Sequence, residues 1–103
     1  MTYILIPSKK FQKAMQKCRR SGRKDVLSSF DEVGALLSVF NAPARFVLRE
    51  QWKDHDLKGS MKGVRELHLS FDAVVLYRVH EKERVIALLN VINHEELEKL
   101  SSR

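Results

Sequence analysis

The stretch GVRELHLSFDAVVLYRVHEKERVIALLNV, residues 63–91, decides the fold. Aliphatic and β-branched residues fill three runs, about 64–70, 73–80 and 83–92, and two short breaks, Phe71-Asp72 and Glu81-Lys82, separate them. Such runs favour strands, and breaks this short leave room only for hairpins, so three consecutive antiparallel strands are predicted. With both breaks as two-residue loops, one face carries Leu67, Leu69, Val74, Leu76, Val85, Ala87, Leu89 and Val91. The other carries Glu66, His68, Val75, Tyr77, Arg84, Ile86, Leu88 and Asn90. The first set is an apolar surface for helices to cover. The second gathers an acid, a base, a phenol and a guanidinium on the side the core does not use. A slip of one residue would exchange the sets.

Upstream, Thr2 to Ile6 reads as a short strand. Pro7 and Ser8 open a helix through about Arg20, since Pro suits a first turn and Ser a cap. Phe11, Met15 and Cys18 form its apolar stripe. Ser21-Gly22 ends it, and a second helix runs from Asp25 to Phe40 on the stripe Val26, Phe30, Val33, Leu37 and Phe40, with Asn41 and Pro43 as its stop. The short link makes the two an antiparallel helical hairpin. Residues 42–63 are the least regular, with room for a turn of helix in ARFVLREQW and an exposed loop in KDHDLKGSMKG. A last helix, about 94–101, has Glu95 and Glu96 in its first turn, as the helix dipole favours. The chain of 103 residues is thus one α+β domain.

Of its residues, 44% are hydrophobic, enough for one modest core, and no apolar run approaches the roughly 20 residues needed to span a bilayer. The N-terminal stretch is the reverse of a signal peptide, and a single cysteine, Cys18, allows no internal disulfide; a reducing, cytoplasmic setting is expected. The formal net charge of +6 is uneven. Lys9, Lys10, Lys13, Lys17, Arg19, Arg20, Arg23 and Lys24 follow one another without an acid, and the remainder is slightly acidic. Lys9, Lys13 and Lys17 repeat at i+4 spacing, which costs a few tenths of a kcal/mol per pair unless an anionic partner offsets it. The block is either a solvated face or a docking surface for nucleic acid, a membrane surface or an acidic segment.

Two His, several carboxylates, and Arg or Lys around residues 54–72 fit acid–base cleavage of RNA. RNA supplies its own nucleophile, the 2′-hydroxyl. The protein must take that proton, protonate the leaving 5′-oxygen and stabilise the phosphorane charge. His68 is either such a group or a hydrogen-bonded structural histidine; His55 is either functional or an idle loop residue. Asp72 either acts on substrate or shapes the hairpin, and His94 either acts or starts the last helix. His80 looks idle. Trp52 and Tyr77 are candidates to stack on bases, Trp52 more readily as a packing anchor. No His or Cys pair has zinc-ligand spacing, so no metal or other cofactor is expected. A DNA-binding regulator is disfavoured by the lack of a recognition-helix pattern.

The segment WKDHDLKGSMKGVRELHLSFDAVVLYRV, residues 52–79, followed by His94, resembles the RelE/YafQ-type toxins of bacterial type II toxin–antitoxin systems, in particular the YafQ branch. The matching elements are D-H-x-L-x-G, then G-x-R-E-x-H, the hairpin Asp, the run into Tyr77 and the late His. The resemblance implies a RelE-like α+β fold, with helices packed on a small antiparallel sheet. It implies a ribosome-dependent mRNA endoribonuclease that needs no metal, and a cognate antitoxin as partner. The implied catalytic set is His55, His68, Asp72 and His94 with Glu66 in support, His94 as general acid and His55 or His68 at the 2′-hydroxyl. Ribosome or RNA contacts are expected from Lys9, Lys10, Lys13, Lys17, Arg20, Lys53, Lys58, Lys62 and Arg65. Three positions depart from the family pattern: Asn90 stands where the family has Arg, Ala73 where an aromatic follows the hairpin Asp, and Glu98 where another aromatic stands. Asn90 removes a positive charge that Arg84, Arg65 or Lys62 is then required to replace. Without a replacement, the chain would bind antitoxin, ribosome or RNA without efficient cleavage.

Overall fold

A computed structural model describes residues 2–93 and Glu96; the expected last helix, with His94 and Glu98, lies outside the described residues. The elements run β1 (Ile4–Pro7), α1 (Lys9–Arg20), α2 (Lys24–Val39), α3 (Ala42–Trp52), β2 (His55–Asp56), β3 (Arg65–Ser70), β4 (Ala73–His80) and β5 (Val85–Ile92). They form a five-stranded sheet in the order β1-β5-β4-β3-β2, with the helices packed on one face. The sheet is mixed, because β1 runs parallel to β5 while every other pair is antiparallel.

Local chemistry accounts for the helix ends. Ser8 caps α1 by accepting from the Phe11 N–H at 3.0 Å, and its hydroxyl donates to the Leu89 carbonyl at 2.7 Å. The residues expected only to stop α2 do more. Phe40 ends α2 in the left-handed region, at φ 38°. Asn41 then caps a new helix, accepting from the Ala44 N–H at 2.9 Å, with Pro43 in its first turn. The first half of the stretch expected to be irregular is therefore the three-turn helix α3, and Asn-x-Pro is a start signal as much as a stop.

The core lies between helices and sheet. Phe11, Val26, Val33, Leu37 and Leu48 meet Leu67, Val75, Tyr77, Ile86 and Leu88 there. This corrects the sequence-based faces by one residue. The β3–β4 loop has two residues as expected, with Ser70 opposite Ala73. A bulge follows, and pairing resumes at His68 opposite Val74, so Leu67 faces the helices with Val75 rather than with Val74. The β4–β5 loop has four residues, with His80 opposite Val85, and a second bulge intervenes before Leu76 pairs Asn90. Each bulge adds an unpaired residue and turns the rest of its strand to the other face, an effect that turn length alone does not reveal.

The face away from the helices holds a second apolar cluster of Val64, Val74, Leu76 and Ile92, flanked by Leu57, Met61 and Leu89. The segment between β2 and β3 is not an open loop. Leu57 N–H donates to the Val64 carbonyl at 2.9 Å, and a turn of 3-10 helix spans Gly59–Met61.

Candidate active site

The site is built outward from α3. Lys53 ends that helix in the left-handed region at φ 55°, and Asp54 follows as a buried carboxylate. Asp54 accepts from the Tyr77 hydroxyl and from Arg65, whose Nη2 lies 2.7 Å from Oδ2. Arg65 also reaches Asp56 at 2.6 Å. Burial drives the Tyr77 hydroxyl pKa upward, and the neighbouring Asp54 charge pushes it further. Burial opposes the charge on Arg65, but its hydrogen bonds to Asp54 and Tyr77 outweigh that and the net shift is upward. This network fixes the start of β2 and sets His55 directly opposite Glu66.

His55, Glu66, Leu76 and Asn90 thus form one row across four strands, on the face away from the helices. His68, Val74 and Ile92 form the next row. Glu66 is buried, with a side chain 5% exposed, and Oε1 lies 2.6 Å from His55 Nε2 and 3.6 Å from His68 Nε2. Its other oxygen, Oε2, is buried without a hydrogen-bond partner among the described residues. The two imidazoles stack at 25°, with centroids 6.4 Å apart. His55 Nδ1 is 2.7 Å from the Lys53 carbonyl. A carbonyl only accepts, so Nδ1 is the donor there, and the short Nε2–Oε1 contact ties the other ring nitrogen to the carboxylate. Both His55 nitrogens are thereby engaged. A buried carboxylate beside two imidazoles brings three acid–base groups together at one point of the sheet.

The other sequence-predicted residues lie elsewhere. Asp72 sits at the β3–β4 hairpin, gripped through both oxygens by Arg23 at 2.9 and 3.1 Å and by the Ser70 hydroxyl at 2.7 Å. The Arg23 hydrogen bonds, and then that of Ser70, pull its carboxyl down to about 2. The structure thus ties Asp72 to the link between α1 and α2 rather than to the imidazoles. Arg84 lies in the four-residue turn, its guanidinium 5.6 Å from the centre of the Tyr3 ring. Five residues of β5, Val85 to Leu89, lie between it and Asn90, roughly 20 Å of strand, so it does not join the site. The unexpected length of that turn is the reason.

Arg65 is held by Asp54 and Asp56 with a side chain only 18% exposed, so it is not a loose RNA contact. Tyr77 is fully buried and cannot stack on a base, and Trp52 packs against the core as an anchor. Lys9, Lys10, Lys13, Lys17 and Arg20 are exposed on α1, in the helix layer on the far side of the sheet from Glu66. Lys53, Lys58 and Lys62 are exposed in the segments around β2. Asn90 turns its amide oxygen back to accept from the Val91 N–H at 2.9 Å. Among the described residues no group of three or more His, Cys, Asp or Glu is arranged to hold a metal ion.

Sequence reasoning missed Asp54 and Arg23. Asp54 stands beside His55 in the D-H pair, and Arg23 was indistinguishable from its basic neighbours. Only its place just after Gly22, at the turn between helices, hinted at a different use.

The family model described as bacterial toxin of type II toxin–antitoxin system, YafQ, matches residues 3–99. Among solved structures, a copper-bound mutant toxin from Helicobacter pylori shares 31% identity at a TM-score of 0.69, over 92% of this chain and 98% of that one. YafQ from E. coli superposes at a TM-score of 0.71 with 21% identity, over 92% of this chain and 97% of that one, and shows a common fold. The archaeal RelE of a RelE–RelB complex from Pyrococcus horikoshii matches at 0.60 with 26% identity, over 90% of this chain and 96% of that one. Among curated proteins none matches the chain in sequence.

Proposed function

Since the chain belongs to the YafQ family of bacterial type II toxins, we propose that it is an endoribonuclease that cuts mRNA on the ribosome and is held inactive by a cognate antitoxin. The observation that carries this reading is the group His55–Glu66–His68, two imidazoles on one buried carboxylate, set on the sheet face that carries the second apolar cluster. Glu66, tied to His55, orients the imidazole beside it, and His68 receives the proton of the 2′-hydroxyl. The 2′-oxygen attacks the adjacent phosphorus, a 2′,3′-cyclic phosphate forms, and the bond to the 5′-oxygen breaks. His94, two residues past Ile92, is the proposed acid for that leaving oxygen. Asp72 holds the hairpin end of β3 through Arg23. Lys53, Lys58 and Lys62 meet RNA on the site side, while Lys9, Lys10, Lys13, Lys17 and Arg20 dock on ribosomal RNA from the helix layer. Such contacts make binding fall with salt.

An antitoxin partner is supported by relatives solved as toxin–antitoxin complexes, DinJ–YafQ from E. coli and RelE–RelB from P. horikoshii. A cytoplasmic location follows from a ribosomal substrate. Among the described residues no helix is long and apolar enough to cross a membrane.

Asn90 favours a second reading, a binder that no longer cuts, because its amide brings no charge to the row that it shares with Glu66. Primer extension on mRNA with and without ribosomes decides between the two. Cleavage that requires ribosomes and falls at least a hundredfold in His68→Gln and His94→Ala is expected, in the range of lost acid–base catalysis. Binding to ribosomes with no cut ends would leave the binder reading. In cells, induction should arrest growth, and His94→Ala should grow normally.

A further inference from the structure

The site face carries a cation that the sequence reading passed over. Arg78 belongs to β4, two residues beyond Leu76, and so points to the same side as Leu76, Glu66 and Asn90. Two residues along one face of a strand are about 7 Å apart, within the reach of an arginine side chain. Arg78 is exposed, and no ion pair engages it among the described residues.

The other described arginines are spoken for or face elsewhere. Arg23 and Arg65 are held by aspartates. Arg45 and Arg84 lie over the rings of Phe40 and Tyr3. Arg19, Arg20 and Arg49 belong to the helix layer.

The backbone beside Arg78 is shaped around it. Gly63 adopts φ 91°, which disfavours any side chain, and a carbon attached there would lie 2.9 Å from Arg78 Nη1. Glycine at 63 therefore lets the end of the guanidinium, through Nη1, approach the chain just before β3. Exposed Lys62 is the next residue. The result is a forked, permanently charged donor on the sheet face that carries Glu66 and His68, seated against the residue that follows exposed Lys62. That geometry suits a phosphodiester oxygen pair.

We infer that Arg78, seated on Gly63, is the phosphate-binding residue of this site and supplies the positive charge that Asn90 lacks. The inference rests on the RNA-cleaving reading for its ligand, the backbone of a single RNA strand.

The test uses the full chain and a short 2′-O-methyl RNA, which cannot be cut, with affinity read by fluorescence anisotropy across a salt series. Arg78→Ala should weaken binding about tenfold, the scale of one charged hydrogen bond, and lower the salt slope by about 0.7, the value for one phosphate of a single strand. Arg78→Lys should keep the slope and lose part of the affinity. Arg49→Ala removes the same charge from the helix layer and should leave slope and affinity near wild type. Equal behaviour of Arg78→Ala and Arg49→Ala would overturn the inference, provided circular dichroism melts show Arg78→Ala folded. A wild type that never cuts mRNA, with an Arg78-dependent slope, would remove the nuclease reading and leave the phosphate contact standing. A wild type that cuts, with no loss in Arg78→Ala, would remove the contact alone.

Discussion

At the residue scale, one side chain has one set of partners, and those partners decide what it can do. Asp72 illustrates this. Its carboxyl sits at about 2 because Arg23 and Ser70 favour the charged form. A pKa lowered by folding contributes stability that is complete above the ordinary carboxylate range and is lost as pH falls through the folded value. The window is therefore about pH 4 down to about 2. Thermal melts should show the wild type losing Tm across that window more steeply than Asp72→Asn or Arg23→Gln; parallel curves would show that the pair contributes nothing. Both groups are well exposed to solvent, so the difference should be small. From the sequence, Asp72 reads equally as a turn residue or a catalyst, since nothing local records a cation 49 positions away. Glu66 and His68 were legible as neighbours on one strand face, whereas His55 read as a loop residue and joined them only through the family resemblance, because the short strand β2 that sets it opposite Glu66 is a tertiary fact. Arg65 and Tyr77 were misread as surface groups, because the burial of Asp54 between them is a tertiary fact.

At the element scale, the helices were largely legible and the sheet register was not. The stripes of α1 and α2 repeat with helical periodicity, and the residues they predicted are in the core. Strand faces have a period of two, so one unpaired residue inverts everything beyond it. Leu69 and Leu89 are those residues. Neither is a glycine or otherwise marked in sequence, and their effect was to place Glu66, His68 and Asn90 with Val74 and Leu76 rather than with Val75 and Tyr77. The bulge in β5 is tied to the first helix. Ser8 N–H donates to the Leu88 carbonyl at 2.9 Å, and its hydroxyl donates to the Leu89 carbonyl at 2.7 Å while capping α1. Ser8→Ala should therefore cost about 1–2 kcal/mol, the upper part of the range for a lost cap, in urea unfolding. It should also raise amide exchange at Val91 more than at Val75. A loss confined to α1 would mean that the bulge holds itself.

At the scale of the whole molecule, the Asp54–Arg65–Tyr77 network joins the end of α3 to β3 and β4 from within. A buried pair is a weak source of stability when intact and a large liability when halved. Arg65→Met should destabilise the fold by about 3–5 kcal/mol in urea unfolding, because Asp54 is then buried without its cation. The double change Arg65→Met with Asp54→Leu should recover much of that loss. Similar losses for single and double variants would show that packing, not charge, sets the cost. The same network positions β2, so Arg65→Met should also reduce cleavage by separating His55 from Glu66.

One consequence belongs to the outer rim of the sheet at β1. The amides of β1 alternate between β5 and the outside. Tyr3 N–H, on the outside, is already donated to the Ser38 carbonyl at 2.6 Å, and position 7 is a proline with no N–H to give. Only Leu5 keeps an outward donor between them. A visiting extended peptide would find almost nothing to zip onto along that margin, although Ile4 and Ile6 beside it are greasy and exposed. With its row of outward donors cut to one, this border disfavours fibril-like stacking of copies and gives inhibitors designed to mimic an added strand less purchase.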